Sequence, residues 1–317
     1  MNTREELAYR AALMYYAQNE TMESIARQLK VSRSTVSRLI QVARTEGYIK
    51  FSFNPPRGAS PGLLSEISRH FGVETWMVPV PARVSARQRL KLVAEVAGSM
   101  ISGMVHPGVT IGIAWGNTLS AVSEHLIDNH VEGARIVQLN GAASMSSTGI
   151  FYAGGIMEAF GRAYRAQVQY FPVPAFFDYV ETKTMLWCER SVRRVLEMQS
   201  QIDIAVFGVG SLSGKPLSMV YAGGYLIPEE MERLKVAGVV GDVCTVLLRA
   251  DGTWEDLEIN QRSSGPTPTD LQRIDRRICV VSGADKAVPL LAALRAGVVT
   301  DLVIDEECAV RLMRLRG

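Results

Sequence analysis

The chain predicts an α/β protein, with an N-terminal helix-turn-helix domain followed by a mostly parallel, Rossmann-like α/β domain. Three observations lead there. Residues 21–43 carry apolar side chains at helical spacing on both sides of a tight turn. Asn54 to Gly62 is dense in Pro and Gly and can continue neither helix nor strand. Beyond it, apolar runs of strand length alternate with segments of helical period, the pattern of a parallel sheet covered by helices. The predicted division is 1–55 for the helix-turn-helix domain, 56–62 for a linker, and 63–317 for the α/β domain.

In the first domain, Leu7, Ala8, Ala11, Leu13, Met14 and Ala17 predict a helix over residues 4–17. Thr21 is placed to cap a second helix, in which Ile25, Ala26 and Leu29 share one face. Ser32 caps a third. There Val36, Leu39, Ile40 and Ala43 point inward, and Arg33, Ser34, Thr35, Ser37 and Arg38 point outward. Gly47 stops that helix, and residues 48–53 alternate like a short strand.

The outward set contains hydroxyls and arginines and no acid. Such groups donate to phosphate oxygens, and Arg pairs bidentately with guanine, so this face is expected to enter a groove of double-stranded operator DNA. Charge placement agrees. Residues 1–57 hold nine Lys and Arg against five Asp and Glu, a net +4, while the rest of the chain is net −2. The basic excess is therefore local, as a DNA-binding module requires.

In the second domain, strands are predicted at Val109 to Ala114, Ala134 to Leu139, Gln167 to Val173, Ile204 to Val209, Val243 to Leu248, Ile278 to Ser282 and Asp301 to Ile304. Helices are predicted to start at Thr118 and Ala287. The N-terminus is polar and lacks the pattern of a secretory signal, and no apolar run approaches the roughly 20 residues of a membrane span, so a cytoplasmic location without membrane contact is expected. Cys188, Cys244, Cys279 and Cys308 are scattered without a C-x-x-C pair, which favours buried free thiols over disulfides or metal ligands. The four histidines lack ligand spacing, so neither metal nor cofactor is expected.

Open α/β sheets bind ligands beyond the carboxyl ends of their strands. Four strand ends here carry glycine and polar residues. After the first, Gly116 allows close backbone approach, with Asn117 and Thr118 beginning a helix. The others are the loops at Leu139 to Ser144 and Phe207 to Ser211, and the segment Val281 to Ala287, where Lys286 can supply charge to a phosphate.

The Gly112-x-x-Trp115-Gly116-x-Thr118 loop, Leu139-Asn140-Gly141, Gly208-Val209-Gly210, Gly241-Asp242, and Lys286-Ala287 ahead of Leu294 and Asp305-Glu306 occur in this order behind a helix-turn-helix. In that combination the chain resembles the SorC-type sugar-binding transcriptional regulators over nearly its whole length. The resemblance implies a second domain similar to sugar-phosphate isomerases, a sugar phosphate or free sugar or polyol as effector, and a homodimer or homotetramer acting on a carbohydrate operon. It further implies that Gly116, Asn117, Thr118 and Lys286 hold a phosphate while Asn140, Gly141 and Asp242 face sugar hydroxyls. Ala114 and Ser282-Gly283 depart from the usual family residues. The alternative is a sugar-phosphate isomerase with an accessory helix-turn-helix; no acid/base pair of clear spacing accompanies Asp242 and Asp305, and no catalytic residue is assigned.

Overall fold

The computed structural model describes residues 3–49, 61–81, 83–145, 147–214 and 217–316. They divide into two compact units, Met1–Ser52 and Phe53–Gly317. The predicted linker 56–62 lies outside the described residues except for Pro61 and Gly62, which begin the helix Pro61–Phe71.

The first unit is three helices, α1 (Thr3–Tyr16), α2 (Met22–Leu29) and α3 (Arg33–Thr45). The Ser24 amide donates to Thr21 Oγ1 at 3.2 Å, satisfying an end group that α2 cannot satisfy itself. The Thr35 amide does the same to Ser32 Oγ at 3.1 Å. Between the two helices Lys30 adopts a left-handed conformation, φ 54°, which ends α2 and turns the chain. Ala8, Ala11, Ala12 and Met14 from α1, Ile25 from α2, and Val36, Leu39, Ile40 and Ala43 from α3 form one buried core. Small alanines on α1 let the helices approach closely. Residues 50–53 of the predicted short strand lie outside the described residues, and Tyr48 and Ile49 are not in a strand.

The second unit contains β1 (Glu74–Val78), β2 (Thr110–Ile113), β3 (Arg135–Gln138), β4 (Gln167–Gln169), β5 (Ile204–Phe207), β6 (Gly210–Ser211), β7 (Val239–Val243), β8 (Val246–Arg249), β9 (Arg276–Val281) and β10 (Asp301–Asp305). Seven of these pair in the order β1-β10-β9-β5-β2-β3-β4, every pair parallel. The central strands β2, β5 and β10 are buried along their full length, as expected for a sheet with helices on both faces. Helices Ala86–Met104 and Ile150–Tyr164 contribute to one core cluster, and Ala287–Arg295 and Glu306–Leu315 to the other.

From β2 the chain moves outward through β3 to β4; from β5 it moves the other way through β9 and β10. The winding direction therefore reverses between the adjacent strands β2 and β5, the place where an open α/β sheet leaves a crevice.

Two predicted strands are corrected. The run Val243 to Leu248 is the end of β7, a turn at Cys244 and Thr245, and then β8, and it belongs with β6 to a separate antiparallel sheet. Both turn residues have positive φ, 48° and 69°. A two-residue hairpin needs this conformation, usually from Asn or Gly, so the apolar run gave no warning of it. Similarly β4 ends at Gln169, four residues before the predicted limit.

Candidate functional site

A cavity of about 520 Å³ opens at the carboxyl ends of β2 and β5. Residues 114–119 after β2 and Gly208 to Gly210 after β5 form two of its walls, with Asn140 after β3. The segment Leu217 to Val220, the β7–β8 turn and residues 282–286 after β9 enclose it further, and Arg87 and Arg89 of Ala86–Met104 reach it from the side. Of the predicted effector residues, Gly116, Asn117, Thr118, Asn140, Asp242 and Lys286 all line this one cavity.

Gly116 precedes the helix Asn117–Ser123 at φ 150°, a conformation that L side chains rarely adopt. Asn117 is exposed, and its Oδ1 accepts from the Tyr152 hydroxyl at 2.9 Å. Thr118 packs beside Gly208, where an added Cβ would lie 3.5 Å from Thr118 Cβ.

Asn140 is 1% exposed, and its side-chain oxygen has no hydrogen-bond partner. Its backbone carbonyl accepts from Gln138 Nε2 at 2.7 Å. Asp242, 4% exposed, accepts the Thr245 amide on Oδ2 at 3.2 Å, and the Tyr221 hydroxyl lies beside its carboxylate. Burial pushes the Asp242 carboxyl up to about 6, opposed by the Tyr221 hydroxyl and the Lys286 ammonium. A Cβ on Gly210 would fall 1.7 Å from Asp242 Oδ1, so only glycine there allows the carboxylate its place. Asn140 Oδ1 and the Asp242 carboxylate are thus buried acceptors on residues that line the cavity; no described group donates to Asn140 Oδ1, and the Asp242 carboxylate has the Tyr221 hydroxyl beside it.

Lys286 donates to the Val209 carbonyl at 3.1 Å and to Ser218 Oγ at 2.6 Å. Burial lowers its pKa, against which the Asp242 and Asp285 carboxylates act.

Gly141 stands apart. It does not line the cavity: its amide donates to Ser264 Oγ at 3.0 Å and its carbonyl accepts from Trp115 Nε1 at 2.8 Å. An added Cβ would meet the Val173 carbonyl at 2.3 Å. Close backbone packing, rather than space for a ligand, accounts for glycine here.

Arg89, Ser218 and the β7–β8 turn belong to the site without having been singled out. Arg89 forms ion pairs with Glu307 and, at 3.2 Å, with the fully buried Asp305. Asp305 also accepts the Gly283 amide at 2.6 Å, tying the helix Ala86–Met104 to the loop before Lys286. The partnership spans more than two hundred residues of sequence, and nothing local announces it. Ser218 carried no signal either, since it lies outside every predicted element.

On the first unit, Arg33, Ser34, Ser37 and Arg38 are exposed and Thr35 is half-buried, all on α3. Ser32 Oγ lies 2.8 Å from both Ser34 Oγ and Thr35 Oγ1. Arg33 pairs with Glu23 of α2 at 3.3 Å, both side chains about 70% exposed. Cys244, Cys279 and Cys308 are buried free thiols, and Cys188 is exposed. Among the described residues, no group of three His, Cys, Asp or Glu could hold a metal, and no helix is long and apolar enough to cross a membrane.

A family model described as "Putative sugar-binding domain" matches residues 61–314. The deoxyribonucleoside regulator of Bacillus subtilis (strain 168) is 30% identical over 309 residues, covering 96% of each chain. The sorbitol operon regulator of Klebsiella pneumoniae is 21% identical and covers 97% of this chain and 98% of its own. Among solved structures, a domain of a possible sugar-binding transcriptional regulator from Arthrobacter aurescens TC1 is 46% identical, with a TM-score of 0.75 over 81% of this chain and 99% of that one. The full-length sorbitol operon regulator from Klebsiella pneumoniae superimposes with a TM-score of 0.79 over 97% of this chain and 98% of its own; at 21% identity that likeness concerns the fold. These relatives are regulators, which selects the regulator over the isomerase alternative.

Proposed function

The chain belongs to the SorC-type family of sugar-binding transcriptional regulators, and from that premise we propose that a sugar phosphate held in the β2–β5 cavity controls its grip on an operator of carbohydrate metabolism. The observation that carries this reading is the pairing, in one cavity, of the half-buried Lys286 ammonium with the buried acceptor groups of Asn140 and Asp242. Lys286 is suited to an anionic group, and Asn140 Oδ1 and Asp242 Oδ1 to hydroxyl donors. A sugar phosphate brings both. In this reading Gly116, Asn117 and Thr118 lie along the phosphate, and Gly141 serves by locking the loop that carries Asn140.

Operator DNA is read by Arg33, Ser34, Thr35, Ser37 and Arg38 of α3. One such helix contacts only a few base pairs, so the working form is a homodimer or homotetramer on a pseudo-palindromic site. The DNA-binding domain is residues 1–55, the effector domain takes in the helix Pro61–Phe71 and runs to 317, and the protein works in the cytoplasm. The B. subtilis relative is named a deoxyribonucleoside regulator and the K. pneumoniae relative a sorbitol operon regulator, which makes pentose phosphates and polyol phosphates the first compounds to test.

Calorimetry with each phosphate and its unphosphorylated parent, alongside operator binding by fluorescence anisotropy on duplexes selected by the protein, tests the proposal. The expected outcome is binding of a phosphate well above its parent, and a change in operator affinity when it binds. Equal binding of phosphate and parent would transfer recognition from Lys286 to Asn140 and Asp242.

A further inference from the structure

We infer that Ser218 is a further effector-binding residue, a hydroxyl held so that it can only donate, and that with Lys286 it takes an anionic oxygen of the ligand. The inference rests on the effector reading of the cavity given above.

A serine hydroxyl has one proton to give and two lone pairs to accept with. Ser218 Oγ accepts the Ser211 amide at 2.8 Å and Lys286 Nζ at 2.6 Å. Both lone pairs are therefore engaged, and the proton must point away from both donors. The buried Ser211 hydroxyl has no hydrogen-bond partner, so it is not the recipient. Ser218 itself lines the cavity.

Its position sharpens the point. Ser218 precedes the helix Met219–Ala222 at the N-cap, where a serine oxygen ordinarily accepts an amide of the first turn. Here it makes no such bond. The hydroxyl is withheld from its own helix and turned toward a cation on another segment.

Among the described residues Lys286 has likewise committed two of its three N–H groups, to Val209 and Ser218, and keeps one. The two remaining donors, one of them on a charged ammonium, sit on groups hydrogen-bonded to each other at 2.6 Å. They match an oxygen that carries negative charge and needs no donor in return, as on a phosphate. Asn140 Oδ1 and Asp242 Oδ1 have the opposite character: they accept only, and repel an unprotonated phosphate oxygen. The ligand is thereby oriented, its anionic group toward Ser218 and Lys286 and its hydroxyls toward Asn140 and Asp242.

The test is calorimetric titration of the full chain and its Ser218→Ala, Ser218→Cys and Ser218→Thr variants. The probes are 2-deoxyribose 5-phosphate, ribose 5-phosphate and sorbitol 6-phosphate, each with its free sugar or polyol. Ser218→Ala is expected to weaken the phosphate that the wild type binds by about tenfold or more, leaving the free compound within about threefold. Ser218→Cys, which keeps the side-chain shape with a poor donor, should lose affinity in the same way should the alanine variant fail to fold. Ser218→Thr, which keeps the hydroxyl, should stay within about threefold of wild type. Phosphate binding unchanged in Ser218→Ala or Ser218→Cys overturns the assignment of Ser218 and leaves the effector reading standing. Equal losses for phosphate and free compound also overturn it, since they mark a structural role. A wild type that binds no phosphate overturns the effector reading and the assignment together.

Discussion

The indole N–H of Trp115 donates to the carbonyl of Gly141 at 2.8 Å, joining the loop after β2 to the loop after β3. Trp115 is 8% exposed and stacks on Tyr225 with ring centroids 5.1 Å apart. Tyr225 in turn donates to the Ala142 carbonyl at 3.1 Å. The two loops that present Thr118 and Asn140 are thus fastened to each other before any ligand enters.

Removing that fastening has a measurable cost. Trp115→Phe keeps an aromatic ring but leaves the buried Gly141 carbonyl without its donor, and should lower stability by about 1–3 kcal/mol in urea unfolding. Gly141→Ala drives a Cβ into the Val173 carbonyl and should cost at least as much. Wild-type unfolding midpoints in both variants would contradict this account of the Trp-Gly pair.

Asp242 makes stability depend on pH. Its carboxyl is raised to about 6 from an ordinary 3.8, so the folded chain holds the proton more tightly than the unfolded chain. Its contribution is favourable below about pH 4, declines as pH rises through 6, and is then constant. An Asp242→Asn variant lacks this titration. The stability of Asp242→Asn relative to wild type should therefore rise between pH 4 and pH 7 by about 2–3 kcal/mol, with effector affinity reduced. A pH-independent difference in denaturant unfolding would remove Asp242 as the titrating group.

For DNA, Arg38→Ala should weaken operator binding and, if Arg38 grips a phosphate, reduce the slope of log affinity against log salt by about one. Arg33 must leave Glu23 to reach DNA, but an exposed pair of this kind is worth about 0–1 kcal/mol. Glu23→Gln should therefore leave stability within about 0.5 kcal/mol and operator affinity equal or higher. Unchanged affinity in both Arg33→Ala and Arg38→Ala would withdraw α3 as the reading helix.

Lys286→Ala should cost a phosphate effector about 2–4 kcal/mol in calorimetry and leave ligand-free operator binding unaffected. Sedimentation velocity at micromolar concentration, with and without operator, should find a dimer or larger. A monomer in both conditions would contradict the paired half-site arrangement.

Local chemistry was written plainly in the sequence. Thr21 and Ser32 cap their helices because a short hydroxyl ahead of an apolar period has one favourable use. Val36, Leu39, Ile40 and Ala43 lie inside and Arg33 and Arg38 outside because helical period alone sorts them. The strand ends were legible too, and they place Thr118, Asn140 and Lys286 in one cavity because parallel strands all deliver their carboxyl ends to the same edge. Only the tertiary structure decided the rest. Strand order, and with it the reversal between β2 and β5, depends on pairings between residues far apart in the chain. The Cys244–Thr245 turn was hidden in an apolar run that satisfied the pattern of a strand. Gly141 carries the same glycine signal as Gly116 yet faces backbone rather than cavity, a difference set by where Val173 and Trp115 come to lie. Ser218 and Arg89 acquire their roles from Lys286 and Asp305, partners that folding alone brings within hydrogen-bond reach. Periodicity and capping act over a few residues; a binding site is built from donors and acceptors whose neighbours are chosen by packing.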